Sequence, residues 1–306
     1  MNILITGISG FIGKNLIDMI IKDKHEHNLI LLTSRDIDGF VTIRHQNYNF
    51  TTNDFINKNI KEIDTIIHLG AFTPKTSASI NDIDNSNKNI YNTEHLLNNL
   101  PTIPKNFIYI STLDVYQQNN EVITESTPTI PSSLYGHSKL YCEKMLEKWS
   151  EKNNVILQIL RLGHVYGRGE EQYQKIIPQC IRAVTNNEQP LLFSDGIEKR
   201  SFIHVNDVCR FILKSMYLTK YEGAINLVSG NTICIKDLVD FIINLSGKEI
   251  KPKKIKTAQL PRNIFFDNNK MESILGKEEI ALFDGLEDEY NYFLKQLHVG
   301  EYIEKP

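Results

Sequence analysis

Residues Met1 to Ile20 read MNILITGISGFIGKNLIDMI, and the reading of this stretch decides the fold. Ile3, Leu4 and Ile5 form an apolar run short enough for one buried strand, and Thr6-Gly7 closes it in a tight turn. Beyond the turn Ile12, Leu16 and Ile20 recur every four residues with Ile17 and Ile21 beside them, which is the spacing of an amphipathic helix. Strand, glycine turn and helix, in that order, form a setting in which the free amides of a helix N-terminus hold a phosphate.

The three glycines have separate tasks. Gly7 permits the sharp turn, Gly10 carries no side chain to keep a pyrophosphate from the backbone amides, and Gly13 lets the helix pack close to the strand. The spacing is Gly-x-x-Gly-x-x-Gly, and taken alone it also describes a plain strand-to-helix corner. Its place after a strand and at the opening of a helix selects dinucleotide binding, with Gly7, Gly10, Phe11, Ile12 and Gly13 as expected contacts.

The chain has 306 residues, 41% of them hydrophobic, enough for one large domain or two modest ones. A formal charge of -3 gives no general attraction to nucleic acid or to an anionic membrane, so neither is expected as a partner. The sequence opens directly on a strand, and no run of about 18 apolar residues interrupts it, so a soluble cytoplasmic protein is expected. Cys142, Cys180, Cys209 and Cys234 are far apart and form no Cys-x-x-Cys pair, so the expectation is reduced core thiols and no metal site.

Asn28 to Thr33 (NLILLT) reads as a second buried strand, whose end should meet the adenosine ribose. An acid there would hold the 2′-hydroxyl of NAD. Here Ser34-Arg35 follows Thr33, which favours NADP, with NAD the alternative if Arg35 is a surface residue pairing with Asp36 or Asp38. Asp64 to Leu69 is another strand, and the small residues Gly70-Ala71 after Leu69 let a dinucleotide lie across its end. Phe107 to Ser111 continues the alternation of strands and helical stretches, giving an α/β protein with a doubly wound parallel sheet.

Ser111-Thr112 ends that strand at the carboxyl edge, where such sheets place their ligands. Tyr135 and Lys139 follow, four apart on one face of a helix. A phenol titrates near pH 10, so a base at neutrality needs a nearby ammonium, which Lys139 supplies while also holding the nicotinamide ribose. Thr112 is expected to donate a hydrogen bond to the same substrate oxygen. Each of the three alone has a plain structural explanation: a helix-start aromatic, a solvated charge, a capping hydroxyl. Together behind a nucleotide turn they read as a catalytic set.

With these motifs in hand the chain resembles the extended short-chain dehydrogenase/reductases, in particular the NAD(P)-dependent epimerase/dehydratase group acting on nucleotide sugars. The matching pieces are Gly7 through Gly13, His68 through Ala71, Ser111-Thr112, Tyr135 with Lys139, Arg161 through Gly167 and Arg200 through Val208. The resemblance implies a Rossmann domain over residues 1–165, rejoined by about 204–232, and a smaller C-terminal α/β substrate domain over 166–203 and 233–306. It implies a nucleotide-diphosphate sugar as substrate and a homodimer formed through the helix bearing Tyr135. It further implies that Gly163 lies near the nicotinamide and that His164, Arg168 and Arg200 face the substrate, Arg200 being the best diphosphate ligand, or else a surface partner of Glu198.

Members that remove water read Thr-Asp-Glu at the strand end, whereas this chain has Thr112-Leu113-Asp114. Leu113 has no proton for a leaving hydroxyl, which demotes dehydration. The leading expectation is NADPH-dependent reduction of a nucleotide-linked 4-keto-6-deoxy sugar. The alternative is a 4-epimerase using bound NAD and the same three residues, and a dinucleotide sensor without catalysis stands behind both. The segment from Glu170 to Ser194 is expected to cover the substrate, and Lys270 to Leu297 to be helical and packed.

Overall fold

A computed structural model describes residues 1–22, 27–117, 122–193, 195–256 and 263–299. Seven strands form the central sheet: β1 (Asn2–Thr6), β2 (Asn28–Thr33), β3 (Val41–Arg44), β4 (Thr65–His68), β5 (Asn106–Thr112), β6 (Ile156–Leu162) and β7 (Ile225–Leu227). Their order is β7-β6-β5-β4-β1-β2-β3 and every pair is parallel. The strand order reverses between β1 and β4, so the crevice where an open α/β sheet binds its ligand falls at the glycine turn.

Parallel strands are covered on both faces, and β1 shows how the sequence arranges this. Ile3 and Ile5 point to one side, into a core with Leu16 and Ile17 of α1 (Phe11–Lys22). Leu4 points to the other side, into a core with Phe55 of α2 (Thr52–Asn57), Leu96 of α3 (Ile83–Asn98) and Leu146 of α4 (Leu134–Asn153). Alternation of period two thus fills two separate cores from a single apolar run.

A third core lies beyond the sheet, built by α5 (Ile176–Thr185), α7 (Ile235–Leu245) and α9 (Leu282–Val299) through Ile181, Leu238, Val239, Leu286 and Phe293. In contrast, α6 (Val205–Ser215) and Met271 of α8 (Asn269–Leu275) belong to the α1 side of the sheet. The expected C-terminal helix is therefore two helices, broken at Gly276, whose φ of 93° ends α8. Ser194 and residues 300–306, which the expected substrate region includes, lie outside the described residues. Among the described residues no helix is long and apolar enough to cross a membrane.

Candidate active site

The carboxyl ends of β1, β4 and β5 open onto a cleft of about 1030 Å³. It brings together Gly7, Gly10, Phe11, Ile12, Gly13, Ser34, Leu69, Gly70, Ala71, Thr112, Tyr135, Lys139 and Gly163. Gly7 has φ of 72°, and a Cβ there would stand 2.5 Å from the Gly70 nitrogen. At Gly13 a Cβ would come within 2.5 Å of the Gly7 carbonyl oxygen. Gly10 faces the cleft, where an added Cβ would meet only the Gly7 oxygen, at 3.2 Å. This is the cradle that a pyrophosphate requires. Arg35, expected at the adenosine ribose, is exposed and does not line the cleft, whereas Thr33 and Ser34 do.

Ser133 caps α4, its Oγ accepting the Gly136 amide at 3.1 Å, and this places Tyr135 in the first turn. Tyr135 and Lys139 are both buried. The Lys139 ammonium lies 4.2 Å from the centroid of the Tyr109 ring, and burial lowers its pKa to about 8. The Tyr135 phenol is pushed up, first by burial and then by the Asp114 carboxylate, while hydrogen bonds with Thr73 and Thr112 act the other way. Burial is the largest influence on the phenol. The Lys139 ammonium stands over the Tyr109 face.

Thr112 also differs from expectation. Its hydroxyl donates to Asp114 Oδ2 at 3.3 Å and accepts the Asp114 amide at 3.2 Å, capping the short turn Leu113–Val115. Neither Asp114 nor Thr73 was selected by the sequence reading, although Asp114 stands in the Thr112-Leu113-Asp114 run already quoted.

A buried network holds these side chains in register. Glu143, one turn beyond Lys139, accepts Ser111 Oγ at 2.5 Å and pairs with Arg161 of β6 at 2.6 Å. Arg161 also donates to the Tyr116 hydroxyl at 2.7 Å, which donates to Asn226 at 2.8 Å. On the other side of α4, Asn89 accepts the Phe72 amide at 2.7 Å and donates to Ser138 at 3.1 Å. The helix that carries Tyr135 and Lys139 is therefore tied to both neighbouring strand ends.

A second cavity of about 350 Å³ adjoins the cleft and is lined by His164, Glu170, Lys175, Glu198, Arg200 and Phe202, among others. His164 and Lys175 line both spaces. Burial and the nearby Arg200 and Lys175 cations depress the His164 pKa to about 4. Its ring is therefore neutral at pH 7, with Nδ1 donating to the Ser201 carbonyl at 3.2 Å. Lys175 donates to the Val165 carbonyl at 3.0 Å and to Glu170 at 3.4 Å. Glu170 is pushed up to about 7, chiefly by burial, with Lys175 opposing. Arg168 departs from expectation: it forms a two-pronged ion pair with Asp288 of α9 and lines neither cavity. Among the described residues no group of three or more His, Cys, Asp or Glu side chains is placed to hold a metal.

Comparison with known proteins bears directly on this arrangement. The chain is 26% identical over 328 residues to the uncharacterized UDP-glucose epimerase YtcB of Bacillus subtilis, covering 98% of this chain and 100% of that protein. It is 25% identical over 328 residues to mouse dTDP-D-glucose 4,6-dehydratase, covering 99% and 91%. Among solved structures it is similar to the UDP-glucuronic acid 4-epimerase of Bacillus cereus in complex with UDP-glucuronic acid and NAD. That similarity has a TM-score of 0.83 at 25% identity and covers 97% of this chain and all of the other. The sequence model of the NAD dependent epimerase/dehydratase family matches residues 3–227, and with the glycine cradle, Tyr135 and Lys139 on one cleft, the chain belongs to that family.

Proposed function

We propose that the chain is a nucleotide-sugar 4-epimerase that works with bound NAD. This replaces the NADPH-dependent reduction expected from Ser34-Arg35. The observation that carries the reading is that Thr112, Tyr135 and Lys139 share one cleft with the glycine turn in a chain similar over nearly its whole length to a 4-epimerase solved with NAD. The Bacillus cereus 4-epimerase with its bound NAD and the Bacillus subtilis relative support the same conclusion. Dehydration, the activity named for the mouse relative, is disfavoured because Leu113 offers no proton to a leaving hydroxyl.

The amides around Gly10 and Phe11 would hold the pyrophosphate, Ser34 the adenosine ribose and Lys139 the nicotinamide ribose. NAD, when bound, supplies reversible hydride exchange with the sugar's C4. Tyr135 takes the proton from the C4 oxygen and later returns it, and Thr112 fixes that oxygen beside it. Arg200 and Lys175 are the cations for the sugar diphosphate. Neutral His164 presents Nε2 as an acceptor to the substrate. Residues 1–165 with 204–232 act as the cofactor domain, and 166–203 with 233–306 as the substrate domain. Tyr91 on α3 and Tyr141 on α4 are 64% and 57% exposed on neighbouring helices, and a second copy of the chain docks there.

The test is incubation of the purified protein with UDP-glucose or UDP-glucuronic acid and no added dinucleotide. The C4 epimer should form. Conversion only of 4-keto sugars, and only with consumption of added NADPH, would restore reduction instead.

A further inference from the structure

Lys139 is a cation in a buried place, 2% exposed, and among the described residues no carboxylate forms an ion pair with it. Glu143, one turn further along α4, is taken by Arg161 at 2.6 Å and by the Ser111 hydroxyl at 2.5 Å. What stands against the ammonium is the Tyr109 ring, whose centroid lies 4.2 Å from Nζ. A ring face at that distance attracts a cation, and more strongly where water is excluded.

Both sides of this contact are fixed by the fold. Tyr109 pairs with His68 across β5 and β4, and the two rings stack with centroids 5.8 Å apart at 29°. His68 is itself held at both nitrogens. Thr93 donates its proton to the Asn89 carbonyl at 2.8 Å, so it accepts from His68 Nε2 at 3.1 Å, and Nδ1 accepts from the Thr6 hydroxyl at 2.7 Å. On the helix side, Ser111 stands two residues beyond Tyr109 on the same face of β5. Its bond to Glu143 sets the register of α4 on the strand, and that register brings Lys139 over the ring.

We infer that Tyr109 is a positioning residue whose ring face seats the Lys139 ammonium, keeping it charged and in place at the cleft. Tyr109 is 1% exposed and does not line the cleft, so it acts on cofactor and sugar only through Lys139, which does. Burial has already lowered Lys139 to about 8, so a further fall of about one pH unit leaves about half of it neutral at pH 7. What the held charge does for turnover rests on the 4-epimerase reading, whereas its titration does not.

The titratable groups around Lys139 are Tyr109 of β5, His68 of β4, and Tyr135, Cys142 and Glu143 of α4. Asp114, Lys75 and Lys175 line the same cleft. Burial pushes the Tyr109 and Tyr135 phenols and the Cys142 thiol up, and holds His68 down at about 3, so these four are neutral at pH 7. Tyr109 therefore meets the ammonium as a neutral ring and not as a phenolate.

The experiment uses the full chain as purified with its dinucleotide, with lysine labelled with carbon-13 at Cε and followed by NMR against pH. Lys139→Met assigns the signal. Tyr109→Phe keeps the ring face and should titrate close to wild type. Tyr109 is then replaced by phenylalanines carrying one, two and three ring fluorines, which drain the face of electron density while the shape changes little, so a merely structural role predicts no movement. The Lys139 titration should fall stepwise through that series, by about one pH unit at three fluorines, and the basic limb of kcat/KM for UDP-glucose should fall with it. An unmoved Lys139 titration across the fluorinated series, or a shift in Tyr109→Phe as large as that with three fluorines, would overturn the inference. Wild-type protein inert on every nucleotide sugar would instead refute the 4-epimerase reading and leave the Lys139 titration to decide this one.

Discussion

Tyr135 carries the largest expected effect of any single side chain. Tyr135→Phe should lower turnover by about a hundredfold to ten-thousandfold, the usual worth of a positioned acid or base. Bound dinucleotide, measured after denaturing the protein, should be unchanged. Glu170 gives a second residue-level test. Burial raises its pKa, as it does that of the neighbouring Glu289, so the folded pair holds a proton that the unfolded state releases, and the stability this contributes is lost as pH rises above the ordinary carboxylate range. Thermal unfolding should therefore show wild type losing stability between about pH 5 and about pH 8, and Glu170→Gln losing less. The spacing of Tyr135 and Lys139 and the strand-end Thr112 were legible in the sequence because helix geometry fixes i and i+4 on one face. The opposing influence of Asp114 and the turning of Lys139 onto Tyr109 were not, since both depend on how β5, its following turn and α4 meet.

At the scale of elements, two junctions hold the site. Glu143→Gln leaves the Arg161 guanidinium buried without its carboxylate, and loss of one partner of a buried pair costs about 3–5 kcal/mol. Calorimetry should show that loss together with a fall in activity, because the same carboxylate also accepts the Ser111 hydroxyl beside Thr112 and ties β5 to α4. At the other junction, Gly13→Ala presses a methyl against the Gly7 carbonyl, an overpacking worth about 1–3 kcal/mol, and dinucleotide should be lost on purification. Strand β2 agrees with the sequence reading residue for residue, because it is a continuous apolar run just long enough for one buried strand. Strand β3 and helix α2 went unread: four and six residues long, they carry too little pattern of their own and are held by neighbours distant in sequence. Ile156 to Leu162 also went unread, since Gln158 and the buried Arg161 interrupt its apolar run and Arg161 belongs to the motif that follows.

The whole molecule joins a sheet-centred unit to the third core of α5, α7 and α9, with the two cavities where they meet. Tyr141→Asp on the α3 and α4 face should convert a dimer to a monomer in sedimentation equilibrium, and an unchanged mass would contradict that interface. The most direct test of the central claim follows the hydrogen at the reacting carbon. UDP-glucose carrying deuterium at C4, incubated without added dinucleotide, should yield the C4 epimer with the deuterium retained, as expected if Gly10, Ser34 and Lys139 hold a single NAD that would supply reversible hydride exchange within one closed cleft. Epimer that has lost its deuterium to solvent, or no epimer at all, would contradict the account.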